Sequence, residues 1–518
     1  MDDIAAEIAF LDIAVIAIYF AITAGIGIWV SRMINSGDDL FLAGRSLTWP
    51  VIGFSLIASN ISTTTLIGLA GAAYASGIAV SAYEWMAGIP LLLLAFVFAP
   101  IYLHTRITTI PEYLELRFDR RSRLYFSALT IALSIIVDTA GGLYAGAVVL
   151  RTFFPDLGIT EVCIALGLFA GIYTATGGLR AVVYTDVMQA GALILGTSLL
   201  AIILFSRMDY SWQQVVDSVS EPGHLSMVQP LGDEMLPWPG LMLGVPILGI
   251  WYWATNQYIV QRVLGARSLR DAQAGAVMGG LLKLVSLFTM VLPGAMAISL
   301  LPDLPNPDMV FPAMVTEILP VGITGLVMAG LIAAIMSSVD STLNSASTLV
   351  VHDFVLPTRP DTSPKRIAFL GRATTIILMV IAIAWAPQIA NFGSLWDYLQ
   401  QAFSILVPPI VAIFLMGAFW RRGNGTGAFH ALITGHVLGL ILFILTQMAV
   451  WPLHFTINVA VMTLVSGLLF VLFSLSTPKP DREKVGAAVW RPDLLNHEPT
   501  AGSGSWLATV MVPSLLLA

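Results

Sequence analysis

Between Ile332 and Ser347 the sequence reads IAAIMSSVDSTLNSAS, inside an apolar run long enough to cross a bilayer. This stretch holds one carboxylate, Asp340, together with six hydroxyls and an Asn. A charge at that depth is costly in lipid, so it belongs on a bundle interior or a water-filled path. Ser337, Ser338, Asp340 and Ser341 offer hard oxygen ligands that suit Na⁺; a proton relay through the buried carboxylate is the competing chemistry. No His lies near the cluster: His352 falls at the inner end of the run and His430 close to a loop. The single Cys, Cys163, rules out an internal disulfide framework, and no Cys/His spacing for zinc exists.

A second polar cluster occupies residues 59–65, where Ser59, Asn60, Ser62, Thr63, Thr64 and Thr65 interrupt an apolar run. One or two hydroxyls would simply bond back to a carbonyl four residues earlier. A cluster this dense, flanked by Gly53, Gly68 and Gly71, predicts an unwound or bent segment. Free carbonyls at that depth are tolerated only where they line a cavity or bind something. The other charges at depth are Glu84, Asp138 and Lys283, with Asp186 nearer an inner end. A pairing of Lys283 with a carboxylate is compatible with a purely structural role, but as a set these residues mark a transport path. Asp138, beside AGG, suits close helix packing equally well. Asn60, Glu84, Lys283 and Gln400 supply donors and acceptors, while Trp85, Tyr252, Trp253 and Trp396 supply flat faces. A neutral polyol needs that mix; each aromatic taken singly suits a lipid-interface belt or core packing as well.

The elements that must position these groups follow from composition. Of 518 residues, 57% are hydrophobic and only 11% charged. Continuous apolar runs of about 20 residues recur along the chain, which defines a polytopic all-α membrane protein and excludes an alternating β-barrel. Fourteen candidate spans start near Ile8, Trp49, Val80, Leu124, Ile159, Val182, Leu241, Ala272, Gly322, Arg366, Leu395, Ala428, Thr456 and Trp506, the last being short. MDDIAAE has no basic n-region and does not read as a cleaved signal peptide. The net charge of −7 is spread over short loops and points to no nucleic-acid partner. Alternate loops divide the 24 basic residues unequally: 21 on one set, only Arg151 and Arg207 on the other, and Lys283 inside a span. This asymmetry predicts a multi-pass protein of the cell (inner) membrane with the basic loops cytoplasmic and the N-terminus outside.

The seventh span, PGLMLGVPILGIWYWATNQYIVQR, carries Gly244, Pro246 and Gly249 near its centre, five spans after the polar break at 59–65. Paired interruptions at matching places in two five-span units mark an inverted-repeat secondary transporter with a midplane site.

Several stretches now match a known pattern: LTWPVIGFSLIASNIS, ASGIAVSAYEWM, TIPEYLELRFDRR, YTATGGLRAVVYTDVMQ, IWYWATNQYIVQR, AIMSSVDSTLNSAST and DYLQQAFSILVPPIVAIFLMGAFWRRGNGTGAF. Over about residues 10 to 475 the chain resembles the sodium:solute symporters, and within them most closely the bacterial sodium/glucose (galactose) cotransporters. The resemblance implies a LeuT-type fold of two inverted five-helix repeats with flanking helices. It divides the chain into 1–48 (first flanking helix and inner loop), 49–206 (first repeat), 207–240 (outer loop), 241–422 (second repeat) and 423–518 (C-terminal helices). It implies a Na⁺ site from the carbonyls of Ala58, Ile61 and Ala334 and the hydroxyls of Ser337 and Ser338, with Asp186 on the inner path. A second Na⁺ near Asp186, Asp340 and Ser341 is a further expectation. Sugar contacts fall on Asn60, Glu84, Lys283 and Gln400, with Tyr252 as inner gate beside Trp253, and Leu69, Tyr83 and Trp396 as outer gate. Thr65 stands where those relatives carry Gln or His, Gly249 replaces a polar residue, and Ala87 replaces a Ser. Each lost polar partner weakens hydroxyl recognition by about 1–3 kcal/mol, which leaves the identity of the polyol open.

The expected function is therefore Na⁺-driven import of a neutral sugar or related polyol by alternating access, with no organic cofactor. A same-fold symporter of an amino acid, carboxylate or nucleoside is the nearest alternative, and a non-transporting sensor the next. An enzyme is not expected, since no HExxH, nucleophile elbow or paired carboxylates occur at depth.

Overall fold

A computed structural model places residues 9–32, 37–154, 156–219, 223–302, 304, 306–392, 395–448, 450–451 and 453–496. Regular structure among these residues is helical, and β contacts amount to two isolated bridges. Among the described residues, ten helices are long and apolar enough to cross a membrane. These include α1 (Phe10–Ser31), α4 (Ile78–Thr105), α5 (Arg120–Arg151), α7 (Gly177–Arg207), α10 (Leu269–Leu300) and α11 (Ile323–Thr358). The other four are α12 (Pro364–Ile389), α13 (Leu395–Phe419), α14 (Gly425–Gln447) and α15 (Phe455–Leu475). The pair α2 (Trp49–Asn60) and α3 (Thr63–Ser76) forms an eleventh crossing bent by 59°. Two shorter apolar helices, α6 (Ile159–Ile172) and α8 (Gly240–Thr255), complete thirteen segments that match the first thirteen expected spans in order. The fourteenth, near Trp506, lies outside the described residues.

The polar run at 59–65 breaks the helix through its hydrogen bonds. In an unbroken helix the amides of Ser62 and Thr65 would reach the carbonyls of Ala58 and Ile61. Instead the Ser62 amide donates to Asn60 O at 3.0 Å, and the Thr65 amide donates to Ser62 Oγ at 3.2 Å. Ile61 is extended, with ψ 94°. Ser62 thus caps the second half of the helix, and two carbonyls drop out of the ladder.

The second break corrects its expected position. Gly244, Pro246 and Gly249 do not interrupt the helix; the chain turns at Asn256, whose ψ is 125°. A wide π turn over Gly240–Gly244 absorbs Pro246. The two glycines instead permit close approach: a Cβ on Gly244 would meet Thr456 O at 2.1 Å, and one on Gly249 would meet Pro90 at 2.9 Å. Another π turn, Trp251–Thr255, runs into Asn256, and Asn256 Oδ1 accepts from the Tyr258 amide at 3.3 Å to start α9 (Gln257–Leu264). The start of the first broken helix is tied to the end of the second: Leu47 N donates to Gly265 O at 3.0 Å, and Arg267 N to Leu47 O at 2.9 Å.

At the centre stands α11, 83% of whose apolar window is buried, against 22% for α1 at the periphery. It packs along α7 and touches both halves of the first broken helix. A polar face on such a helix can only look into the protein. Its start is fixed by Asp12 of α1, whose Oδ1 accepts from the amides of Gly322 and Gly325 at 2.7 Å each. The α6–α7 corner turns at Gly178, which has φ +53° and whose Cβ would sit 2.3 Å from Leu40 O; only glycine fits there. Two arginines counted with the loop charges prove buried, Arg117 and Arg262, because each finds oxygen partners inside the bundle.

Candidate functional site

Three polar groupings meet around the two breaks. The first contains the expected ion ligands. The Ala58 and Ile61 carbonyls lose the Ser62 and Thr65 amides as helical donors, in residues that are themselves buried. On α11, Ser338 Oγ donates to Ala334 O at 3.1 Å, so two expected ligands lie side by side. Ser337 Oγ donates to Asp186 Oδ1 at 2.5 Å, which links this grouping to the next. α2 meets α11 where Ser59 Oγ and Ser341 Oγ stand 3.1 Å apart.

The second grouping is a buried ion pair. Asp186 of α7 and Arg262 of α9 are both fully buried, with Nη2 3.0 Å from Oδ2. Ser55 and Ser59, one turn apart on α2, donate to the same Oδ2 at 2.5 and 3.1 Å. Arg262 Nε donates to Ser55 at 2.7 Å, Nη1 to Tyr258 O, and Nη2 to Ser59 and to Ser341, the last at 2.5 Å. Ser341 Oγ in turn donates to Asp340 Oδ1 at 3.1 Å, and Asp340 is buried. Asp186, Asp340 and Ser341 are therefore together, as expected, but a guanidinium stands among their oxygens.

The third grouping is the expected solute set. Lys283 Nζ donates to both Asn60 Oδ1 and Glu84 Oε2. Lys283 and Glu84 are buried, and the ammonium lies 5.4 Å from the Trp253 ring centre. Tyr252 stands edge-on to Trp253 at 5.1 Å and within hydrogen-bond reach of Asn60 and Tyr258. Leu69 is buried in an apolar cluster against which Tyr83 packs. Thr65 bonds within the break, its Oγ1 lying 3.1 Å from Ser62 Oγ and 3.3 Å from Asn60 O. Trp396 and Gln400 belong to α13, but their side chains lie outside the described ones.

Sequence reading missed Arg262, Ser55 and Asp12 as buried polar partners. The signals were local: Ser55 and Ser59 share one face of α2 at helical spacing, and the run around Arg262 stays apolar as far as Leu264. Ser55 and Arg262 reach Asp186 across 131 and 76 residues, and Asp12 reaches Gly322 across 310, separations that no local pattern encodes.

Residues 40–435 match the model of the sodium:solute symporter family. Sodium/glucose cotransporter 4 of Danio rerio is 35% identical over 92% of this chain and 81% of its own. Sodium/glucose cotransporter 1 of Oryctolagus cuniculus is 37% identical over 83% and 71%, and human sodium/myo-inositol cotransporter 2 is 34% identical over 94% and 79%. Among solved structures, a Na⁺-coupled sialic acid symporter in a substrate-bound outward-open state superposes with a TM-score of 0.81, covering 92% of this chain and 99% of that one at 23% identity. Mhp1, a nucleobase-cation-symport-1 family transporter, follows with a TM-score of 0.56 over 87% and 97% at 14% identity. The fold is thus the LeuT type, with two inverted five-helix repeats in a multi-pass membrane protein.

Proposed function

The chain belongs to the sodium:solute symporter family, and from that premise we propose that it imports a neutral sugar or related polyol, using the Na⁺ gradient as the driving force. The observation that carries the solute class is the Lys283–Glu84–Asn60 grouping. Its two charges cancel internally, so the site offers donors and acceptors without demanding a charged ligand. Tyr252 and Trp253 add ring faces against the C–H side of a cyclic polyol. Relatives named for glucose and for myo-inositol fall in the same chemical class.

The proposed coupling ion binds the carbonyls of Ala58, Ile61 and Ala334 and the hydroxyls of Ser337 and Ser338. Asn60, the solute hook, lies between the two α2 carbonyls, so ordering this short stretch for sodium also aims Asn60. Na⁺ then escapes past Asp186 as Tyr252 moves to free the solute, while Leu69, Tyr83 and Trp396 close the outer side. The repeats run over 49–206 and 241–422, between the flanking segments 1–48 and 423–518, with 207–240 as an outer loop. In the inner cell membrane the basic loops face the cytoplasm and the N-terminus lies outside. With Arg117 and Arg262 set aside, the basic residues still divide 19 to 2, which supports that orientation.

Uptake by proteoliposomes under an inward Na⁺ gradient, competed by sugars, sugar alcohols and amino acids, tests this reading. Competition by hexoses or inositols alone is the expected result; competition by an amino acid and by no polyol contradicts it. In the same assay Ser338→Ala is expected to raise the Na⁺ concentration for half-maximal uptake about tenfold, since a lost charge-assisted contact costs about 1.5–3 kcal/mol. Unchanged sodium dependence places the ion elsewhere.

A further inference from the structure

The Asp186 grouping holds something that Na⁺ symport does not require: an internal cation. Arg262 Nη2 is surrounded by Ser59 Oγ, Asp186 Oδ2 at 3.0 Å and Ser341 Oγ at 2.5 Å. Three oxygens from three different helices converge on one nitrogen, in a place with no exposure to solvent at either partner of the ion pair. These are hard ligands of the kind that would hold Na⁺, and two of them were expected on other grounds to do so.

We propose that the Arg262 guanidinium is a tethered competitor of sodium: it fills the cation seat formed by Ser59, Asp186 and Ser341, and Na⁺ takes that seat only as Arg262 withdraws. The inference rests on the sodium-symport reading. Exclusivity follows from geometry, because two cations cannot share the same three oxygens. Exchange follows from electrostatics: a buried carboxylate that loses its guanidinium is left uncompensated, and Na⁺ in the vacated seat restores the balance. The exchange has a mechanical consequence. Arg262 ties α9, the second half of one broken helix, to α2, α7 and α11 at once, and Gln261 adds bonds to Phe41 O at 2.6 Å and Thr348 at 2.8 Å. Seating Na⁺ therefore releases the Arg262 ties of α9 to α2, α7 and α11, at the end that carries the Arg267 and Arg270 loop, and leaves the Gln261 bonds in place.

The test is equilibrium binding of radiosodium to the purified full chain in lipid nanodiscs. Wild type is expected to bind one Na⁺ with ordinary affinity, Arg262→Gln two, and Arg262→Gln/Asp186→Asn one again. A purely structural ion pair would lower stability without changing the count. If Arg262→Gln still binds one Na⁺ with unchanged affinity, or if wild type already binds two, the competitor role is overturned. A wild type that binds none sinks the sodium reading itself, which keeps the two failures apart. Thermal unfolding gives a second readout: raising Na⁺ is expected to stabilise Arg262→Gln more steeply than wild type, because two ions then bind the folded state. Equal slopes count against the proposal.

Discussion

Lys283→Ala is expected to cut Na⁺-driven uptake by more than a hundredfold. Lys283 has 1% of its surface exposed and Glu84 6%, so truncating the lysine strands a carboxylate in the protein interior. Breaking a buried pair from one side costs about 3–5 kcal/mol, and about 1.4 kcal/mol is a factor of ten. Asn60 loses its donor in the same step. The expected signature is selective: radiolabelled polyol binding disappears, while Na⁺ binding persists because its proposed ligands are backbone carbonyls and the α11 hydroxyls. The double variant Glu84→Gln/Lys283→Gln removes both charges and is expected to restore folding without restoring solute binding. Equal solute affinity in wild type and Lys283→Ala would assign the pair a purely structural role.

The second large effect lies away from the transport path. Arg117, at the end of the short helix Ile110–Arg117, is buried and bonded to three carbonyls: Gly417 at 2.8 Å, Trp420 at 2.7 Å and Gly423 at 3.0 Å. These carbonyls belong to the last turn of α13 and the corner into α14, where no helical donors remain. A guanidinium serves all three because its fork is planar and rigid; an ammonium cannot. Arg117→Ala is expected to lower folding stability by about 3 kcal/mol or more, from charge-assisted bonds of about 1.5–3 kcal/mol each that add incompletely. Arg117→Lys recovers only part of it. Thermal unfolding in detergent measures the loss, and the folded fraction is expected to keep wild-type half-saturation values for sodium and solute. A stability equal to wild type would remove this capping role.

Much of the fold was legible because lipid leaves few choices: an apolar run of about 20 residues must be a helix. The first break was readable as well, since six polar groups in one turn and a half outcompete the helical ladder. The second was readable in kind but not in place. Gly244, Pro246 and Gly249 are helix breakers by propensity, yet here a π turn and close contacts with Thr456 and Pro90 absorb them. The chain breaks at Asn256, where an Asn cap ahead of the apolar YIV run was the better signal. Lys283 and Glu84 stood out because charge at depth is conspicuous, and Asn60 because it falls in the polar run at 59–65. Arg262 and Arg117 were not, because each adjoins true loop residues, and only tertiary contacts with oxygens far along the chain draw them inside.

If the ion and solute sites are one construction on residues 58–61, each ligand must strengthen the other. Polyol affinity, measured by equilibrium binding to the purified protein in saturating Na⁺ and again in choline, tests this most directly. Binding at least about tenfold tighter in Na⁺ is expected, and by linkage the same factor for Na⁺ affinity when polyol is saturating. Equal polyol affinity in the two media would contradict it.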